Sequence, residues 1–178
     1  MWHILWYLYK SFEGFNSYSK EYLFVILFCL LAHIAYAQDD KSLVKVGDAV
    51  PAFVISHDDG TQIVSSSYKG KVMLINFFAT WCPPCQKELA EVKNTLWPKY
   101  KDNKNFVLLT IGREHDDAEL KTYNKKKGFE FPLYPDRDRS IYSAFAESLI
   151  PRSYLIDKQG KIIFAGSGFN EDDFKALM

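Results

Sequence analysis

Cys82 and Cys85, parted only by Pro83 and Pro84 in the stretch Thr80-Trp81-Cys82-Pro83-Pro84-Cys85, are the residues of this 178-residue chain best equipped for chemistry. Two thiols at this spacing admit three uses. A zinc site needs a further Cys or His pair. Downstream of the first forty residues the only histidines are His57 and His115, alone and far apart, so no metal is expected. A structural disulfide between such near neighbours closes a very short loop, where loop-closure stabilisation is smallest. Redox exchange accounts for the placement as well as the spacing. If a strand ends near Ala79 and a helix begins near Pro83, the Cys82 sulfur lies beside unpaired N–H groups at the positive end of a helix dipole. That position stabilises a thiolate, the species that attacks a disulfide. Cys85, one turn later, is placed to attack the mixed disulfide that results. Proline suits a first turn whose N–H groups have no intrahelical partners, so Pro83 and Pro84 fit there.

The flanking sequence supplies both elements. Lys71 to Phe78 (KVMLINFF) is a run of β-formers without sustained polar alternation, as in a strand covered on both faces. From Pro84 to about Lys101, Leu89, Val92, Leu96 and Tyr100 recur at spacings of three and four, which predicts an amphipathic helix. Further along, Phe106 to Ile111 predicts a second buried strand. Asp116 to Lys127 predicts a helix, acidic at its start, basic at its end and closed by Gly128. Ser140 to Ser148 predicts a short helix, Tyr154–Asp157 and Lys161–Ala165 a hairpin about Lys158-Gln159-Gly160, and Glu171 to Met178 a last helix. Before the cysteines, Phe53–Ile55 and Gln62–Val64 flank Asp58-Asp59-Gly60-Thr61, a hairpin signal. The sum is an α/β chain with a mixed sheet, helices on both faces and an N-terminal β-hairpin extension.

Bulk properties set the limits. With 48% hydrophobic and 25% charged residues, the chain can build one core after a leader. Lys+Arg and Asp+Glu are 22 each, so net charge gives no pull toward nucleic acid. Tyr22 to Ala37 is an apolar run preceded by Lys20 and closed by Ala35-Tyr36-Ala37, which predicts a signal peptide over 1–37 with cleavage after Ala37. An uncleaved leader would instead anchor the chain to a membrane. Residues 1–19 are too aromatic and too weakly basic for a signal's first region, as a misassigned start codon would explain. Cys29 follows Phe28 rather than a small residue, so lipidation there is not expected. A polar segment, 38–45, then leads to the domain proper at 46–178. In an exported chain Cys82 and Cys85 meet conditions in which disulfides persist.

Taken jointly, several segments resemble the TlpA/ResA-like thiol-disulfide oxidoreductases of the thioredoxin fold, relatives of the redoxin and AhpC/TSA proteins. They are Phe77-Phe78-Ala79-Thr80-Trp81-Cys82-Pro83-Pro84-Cys85, the opening Val46-Gly47-Asp48-Ala49-Val50-Pro51-Ala52-Phe53, Tyr68-Lys69-Gly70-Lys71, and the closing Leu155-Ile156-Asp157-Lys158-Gln159-Gly160-Lys161. The resemblance implies a redox-active Cys82–Cys85 disulfide and a cis Pro151 facing it. It further implies that Ile150 offers backbone hydrogen bonds to an extended substrate segment, with Trp81, Pro83 and Pro84 contributing contacts. Glu88 matches the family's Cys-x-x-Glu and would exchange protons with Cys85. The buried aspartate that many thioredoxins use for this is Asn76 here and cannot titrate. Glu88 fits equally a solvated carboxylate near a helix start. The implied activity is a monomeric, cofactor-free reductase of protein disulfides or thiols in the bacterial periplasm. A membrane electron donor would recharge it, and cytochrome c maturation is one process such proteins serve.

Two rival readings share parts of this pattern. A peroxiredoxin-like peroxidase would place its cysteine in Thr-x-x-Cys, whereas Thr80 leads to Pro83. A copper-delivery module of similar fold would need a histidine near the cis proline, where Ile150 and Arg152 stand. Arg113-Glu114-His115-Asp116-Asp117 follows the second strand near the carboxyl edge of the sheet, where it could shape partner choice, but it reads first as a polar strand-to-helix loop with an acidic N-cap.

Overall fold

The computed structural model describes residues 41–176. The expectations for the leader and for Cys29 lie outside the described residues. Among the described residues no helix is long and apolar enough to cross a membrane.

A five-stranded mixed sheet forms the centre, in the order β5-β4-β3-β6-β7. Its strands are β3 (Val72–Phe78), β4 (Phe106–Arg113), β5 (Leu133–Asp136), β6 (Arg152–Ile156) and β7 (Ile162–Ser167). β4 runs parallel to β3 and to β5, while β6 is antiparallel to both β3 and β7. The expected hairpin is a separate sheet of β1 (Val54–Ser56) and β2 (Gln62–Val64). The opening segment runs along β7, with Gly47 N donating to Ile162 O at 2.8 Å and Val50 N to Gly160 O at 2.9 Å. Such cover blunts an edge that would otherwise offer unpaired backbone to another chain.

Period-two alternation along β3 divides the core. Leu74 and Phe78 face α1 (Pro83–Glu91) and α3 (Asp117–Lys127), meeting Leu89, Leu120, Phe131 and Phe174. Met73, Ile75 and Phe77 face the other way, toward Phe53, Ile55 and a 3₁₀ turn at Tyr142–Ala144. Phe77 meets Tyr142 edge-on at 5.3 Å between ring centroids. The last helix, α4, spans Glu171–Ala176.

Three local readings change. The long helix after the cysteines is interrupted at Val92–Leu96 by a π turn and resumes as α2 (Trp97–Tyr100), with Trp97 N bonding to Val92 O. Pro98 has no N–H to keep the ordinary spacing, so the backbone accommodates it by widening one turn. The helix expected over Ser140–Ser148 is only the 3₁₀ turn. Its neighbouring N–H groups are claimed elsewhere, those of Ile141 and Tyr142 by the Asp136 carboxylate and that of Glu147 by Lys41 O. The third change is β5, a short edge strand containing Pro135, which the sequence did not reveal; an edge position tolerates proline. By contrast α3 matches expectation, opened by an Asp116–Glu119 capping box and closed by Gly128 at φ 63°.

Candidate active site

β3 delivers the chain to Ala79, and three residues later Cys82 becomes the N-cap of α1 with φ −92° and ψ 107°. Pro83 and Pro84 occupy the first turn. The Cys85 N–H donates to Cys82 Sγ at 3.3 Å, and the Gln86 N–H to Cys82 O at 3.1 Å. The sulfur thus receives a helix N-terminal N–H, as the spacing predicts. Cys82 and Cys85 are joined as a disulfide with Cα atoms 5.3 Å apart. Both are buried, and Cys82 is only 3% exposed.

The loop leading to Cys82 is pinned from outside. The Thr80 N–H donates to His115 Nε2 at 3.1 Å, which requires that nitrogen to be unprotonated. His115 Nδ1 then donates to Glu119 Oε2, 3.1 Å away, in the capping box of α3. Gln86 Nε2 donates to Thr80 O at 3.0 Å, and Lys127 Nζ donates to Gln86 Oε1 at 2.9 Å. Gly112 permits this close approach. A Cβ there would lie 2.7 Å from a Leu120 methyl and 3.3 Å from His115 Cβ.

Pairing of β3 with β6 brings the second half of the site into place. Phe77 lies opposite Arg152, so the loop before β6 ends beside the residues after β3. The Ile150–Pro151 bond is cis, and Ile150 O lies 3.8 Å from Cys82 Sγ. The two residues are 68 apart in sequence.

Glu88 is not the solvated carboxylate that its position near the helix start also allowed. It is 4% exposed, one turn after Cys85 on α1. The Ser153 hydroxyl donates to Glu88 Oε1 at 2.7 Å, and Asn76 Nδ2 donates to Ser153 Oγ at 3.0 Å. Glu88 Oε2 has no hydrogen-bond partner. Burial raises the carboxyl from its ordinary 4.5 to about 7, with the Ser153 and Asn76 hydrogen bonds pulling the other way. Asn76, the one polar residue inside the apolar β3 run, was the visible trace of this network; the part of Ser153 left no signal in the sequence.

Trp81 projects to solvent at 60% exposure, and so does Leu149 at 53%. Arg113 joins them, its guanidinium 5.7 Å from the Trp81 ring centroid and 5.2 Å from that of Tyr142. The Tyr142 hydroxyl donates to Leu149 O, and the Arg139 guanidinium lies 5.3 Å from the Tyr142 ring centroid. Glu114 pairs with Arg113 at 3.3 Å and with Arg139 at 3.8 Å. Three members of this cluster, Glu114 (φ 64°), Arg139 (φ 62°) and Leu149 (φ 73°), hold left-handed backbone without being glycine. Each such residue costs about 1–3 kcal/mol and persists where its surroundings over-determine it. The sequence favoured a polar loop at Arg113–Asp117 over a part in partner choice.

Comparison with known proteins places this geometry among relatives. The Redoxin family pattern matches residues 45–177. A thiol-disulfide oxidoreductase ResA of Bacillus thuringiensis is 34% identical over 124 residues, 70% of this chain and 70% of that protein. A solved thiol:disulfide interchange protein of the thioredoxin family from Chlorobium tepidum superposes with a TM-score of 0.61 at 26% identity, covering 75% of this chain and 95% of that one. A Bacteroides thetaiotaomicron protein solved in solution gives a TM-score of 0.72 at 34% identity, over 77% of this chain and 87% of that one.

Proposed function

This chain belongs to the Redoxin family and is a thiol-disulfide oxidoreductase of the thioredoxin fold, and on that premise we propose that it acts as an exported reductase of protein disulfides. The observation that carries the reading is the position of Cys82 Sγ, at the N-terminus of α1 and 3.8 Å from Ile150 O on the cis-proline loop. A partner disulfide brought to that sulfur meets a helix N-terminus on one side and an extended backbone segment on the other.

In the proposed cycle the reduced chain attacks. The Cys82 thiolate bonds to one sulfur of the partner disulfide, and the partner's other sulfur leaves as a thiolate that takes up a proton. The Cys85 thiol then gives its proton to the Glu88 carboxylate and attacks Cys82 Sγ, breaking the mixed disulfide. The second partner sulfur leaves and is protonated. The partner has gained two electrons and two protons, and the chain holds the Cys82–Cys85 disulfide. A dithiol donor must reduce that bond again. With the apolar run at Tyr22–Ala37 this supports a periplasmic enzyme recharged by a membrane electron carrier. Trp81, Pro83, Pro84, Ile150 and Pro151 are the proposed contacts to the partner segment, which aligns beside Ile150 in the manner of strand addition.

Reduction of insulin disulfides by a dithiol donor tests the chemistry. The native chain is expected to accelerate it and Cys82→Ser to leave only the uncatalysed rate; equal rates refute the reading. In cells, Cys85→Ser is expected to accumulate mixed disulfides through Cys82, whose identification names the partners.

A further inference from the structure

Leu149 combines two unfavourable features that nothing in the free molecule repays. Its backbone is left-handed at φ 73°, and its side chain is 53% exposed, so burial does not offset the strain. The arrangement is nevertheless fixed. The Tyr142 hydroxyl holds the Leu149 carbonyl, and Tyr142 is itself held by cations 5.2 and 5.3 Å from its ring centroid. Leu149 directly precedes Ile150, whose carbonyl borders Cys82 Sγ, and Trp81 directly precedes Cys82. Cys82, only 3% exposed, is therefore recessed next to two segments that each carry an exposed apolar side chain, Trp81 on one and Leu149 on the other.

We propose that Leu149, displayed by Tyr142 and facing the same approach as Trp81, selects the partner: the rim accepts an extended segment whose residue next to the reactive cysteine is bulky and apolar. Docking then buries the side chain that the fold leaves outside. Charge points the same way. Arg113 and Arg139 both lie over the Tyr142 ring that holds Leu149, and two guanidinium groups there disfavour a further cation beside the partner cysteine. This inference rests on the oxidoreductase reading and names the substrate class within it.

The test uses disulfide-linked homodimers of a short peptide bearing Leu, Ser or Lys next to its single cysteine, reduced by the pre-reduced full chain to two peptide thiols. The native chain is expected to prefer the Leu dimer over the Ser and Lys dimers by about tenfold, through the half-saturating concentration rather than the limiting rate. Leu149→Gly removes the side chain and admits the left-handed backbone, so its thermal midpoint is expected to hold or rise while the preference shrinks to about twofold or less. Leu149→Ser is expected to lose the preference without the gain in stability. Oxidised glutathione, which has no bulky apolar residue next to its cysteine, should react equally with all three proteins. A native preference for Ser or Lys, or a Leu preference that survives in both variants, overturns the selecting role and leaves the oxidoreductase reading intact if glutathione still reacts. A native chain that fails to reduce insulin disulfides overturns that reading and this inference with it.

Discussion

The Ser153 hydroxyl, two residues past the cis proline, donates to the Glu88 carboxylate on the cysteine-bearing helix at 2.7 Å, tying β6 to α1 through a buried acid. Burial dominates the acid's titration and lifts it from 4.5 to about 7. Below pH 4.5 the carboxyl is protonated in folded and unfolded chains alike and makes no difference to stability. As pH rises toward 7 the unfolded chain ionises first, so the folded state loses stability, in total on the order of 3 kcal/mol. Denaturant titrations of the oxidised protein at pH 4 to 8 are expected to show this fall, and Glu88→Gln to flatten it.

Kinetics should report the same group. The step in which Cys85 resolves a mixed disulfide is expected to rise in rate as Glu88 ionises, with a midpoint near pH 7. Glu88→Gln should slow resolution by about 10²-fold and remove that midpoint. Ser153→Ala withdraws a hydrogen bond that favours the carboxylate, so the midpoint should move to higher pH. Stopped-flow release of a labelled thiol from a preformed mixed disulfide measures all three. An unchanged profile in Glu88→Gln would exclude the acid from proton transfer.

His115 should prove a positioning residue. Its Nε2 accepts the Thr80 N–H two residues before Cys82. His115→Ala leaves that N–H without its partner, at a cost of about 1–2 kcal/mol. Hydrogen exchange at the Thr80 amide is expected to quicken and insulin reduction to slow. His115→Gln, which can present an acceptor oxygen, should recover part of both.

Asp136 acts at longer range. Its two carboxylate oxygens accept the N–H groups of Ile141 at 3.0 Å and Tyr142 at 2.9 Å, all within buried surroundings. Asp136→Ala leaves both unsatisfied and should cost about 3 kcal/mol in chemical denaturation. Because Tyr142 holds Leu149, near-ultraviolet circular dichroism of the tyrosine cluster should change as well.

Much of this was legible in the sequence, and the boundary is physical. The apolar run Val72–Phe78, the turn into Cys82 and the period of Leu89, Val92 and Leu96 are local patterns enforced by burial on one strand and one helix face. Pro151 was legible only through family resemblance. What stayed hidden depended on distant partners. β5 is four residues with a proline at a sheet edge, and the apolar periodicity of Ile141 to Phe145 could not foretell that Asp136 would capture two of its amides. Glu88 showed its place on the helix, but whether that place was wet or dry depended on Ser153 and on helix packing. Leu149 looked ordinary, because backbone handedness leaves no mark on a leucine codon.

The β3–β6 pairing, which set Phe77 against Arg152, also orders the site in time. A chain made from its N-terminus presents Cys82 and Cys85 well before the residues of β6 exist to pair with β3. Until that pairing forms, the two thiols lack Ile150 beside them and Ser153 above Glu88, and they are ordinary cysteines on a nascent strand and helix. Competence therefore arrives with about the last sixth of the polypeptide, so an incomplete chain carries the motif without the paired site.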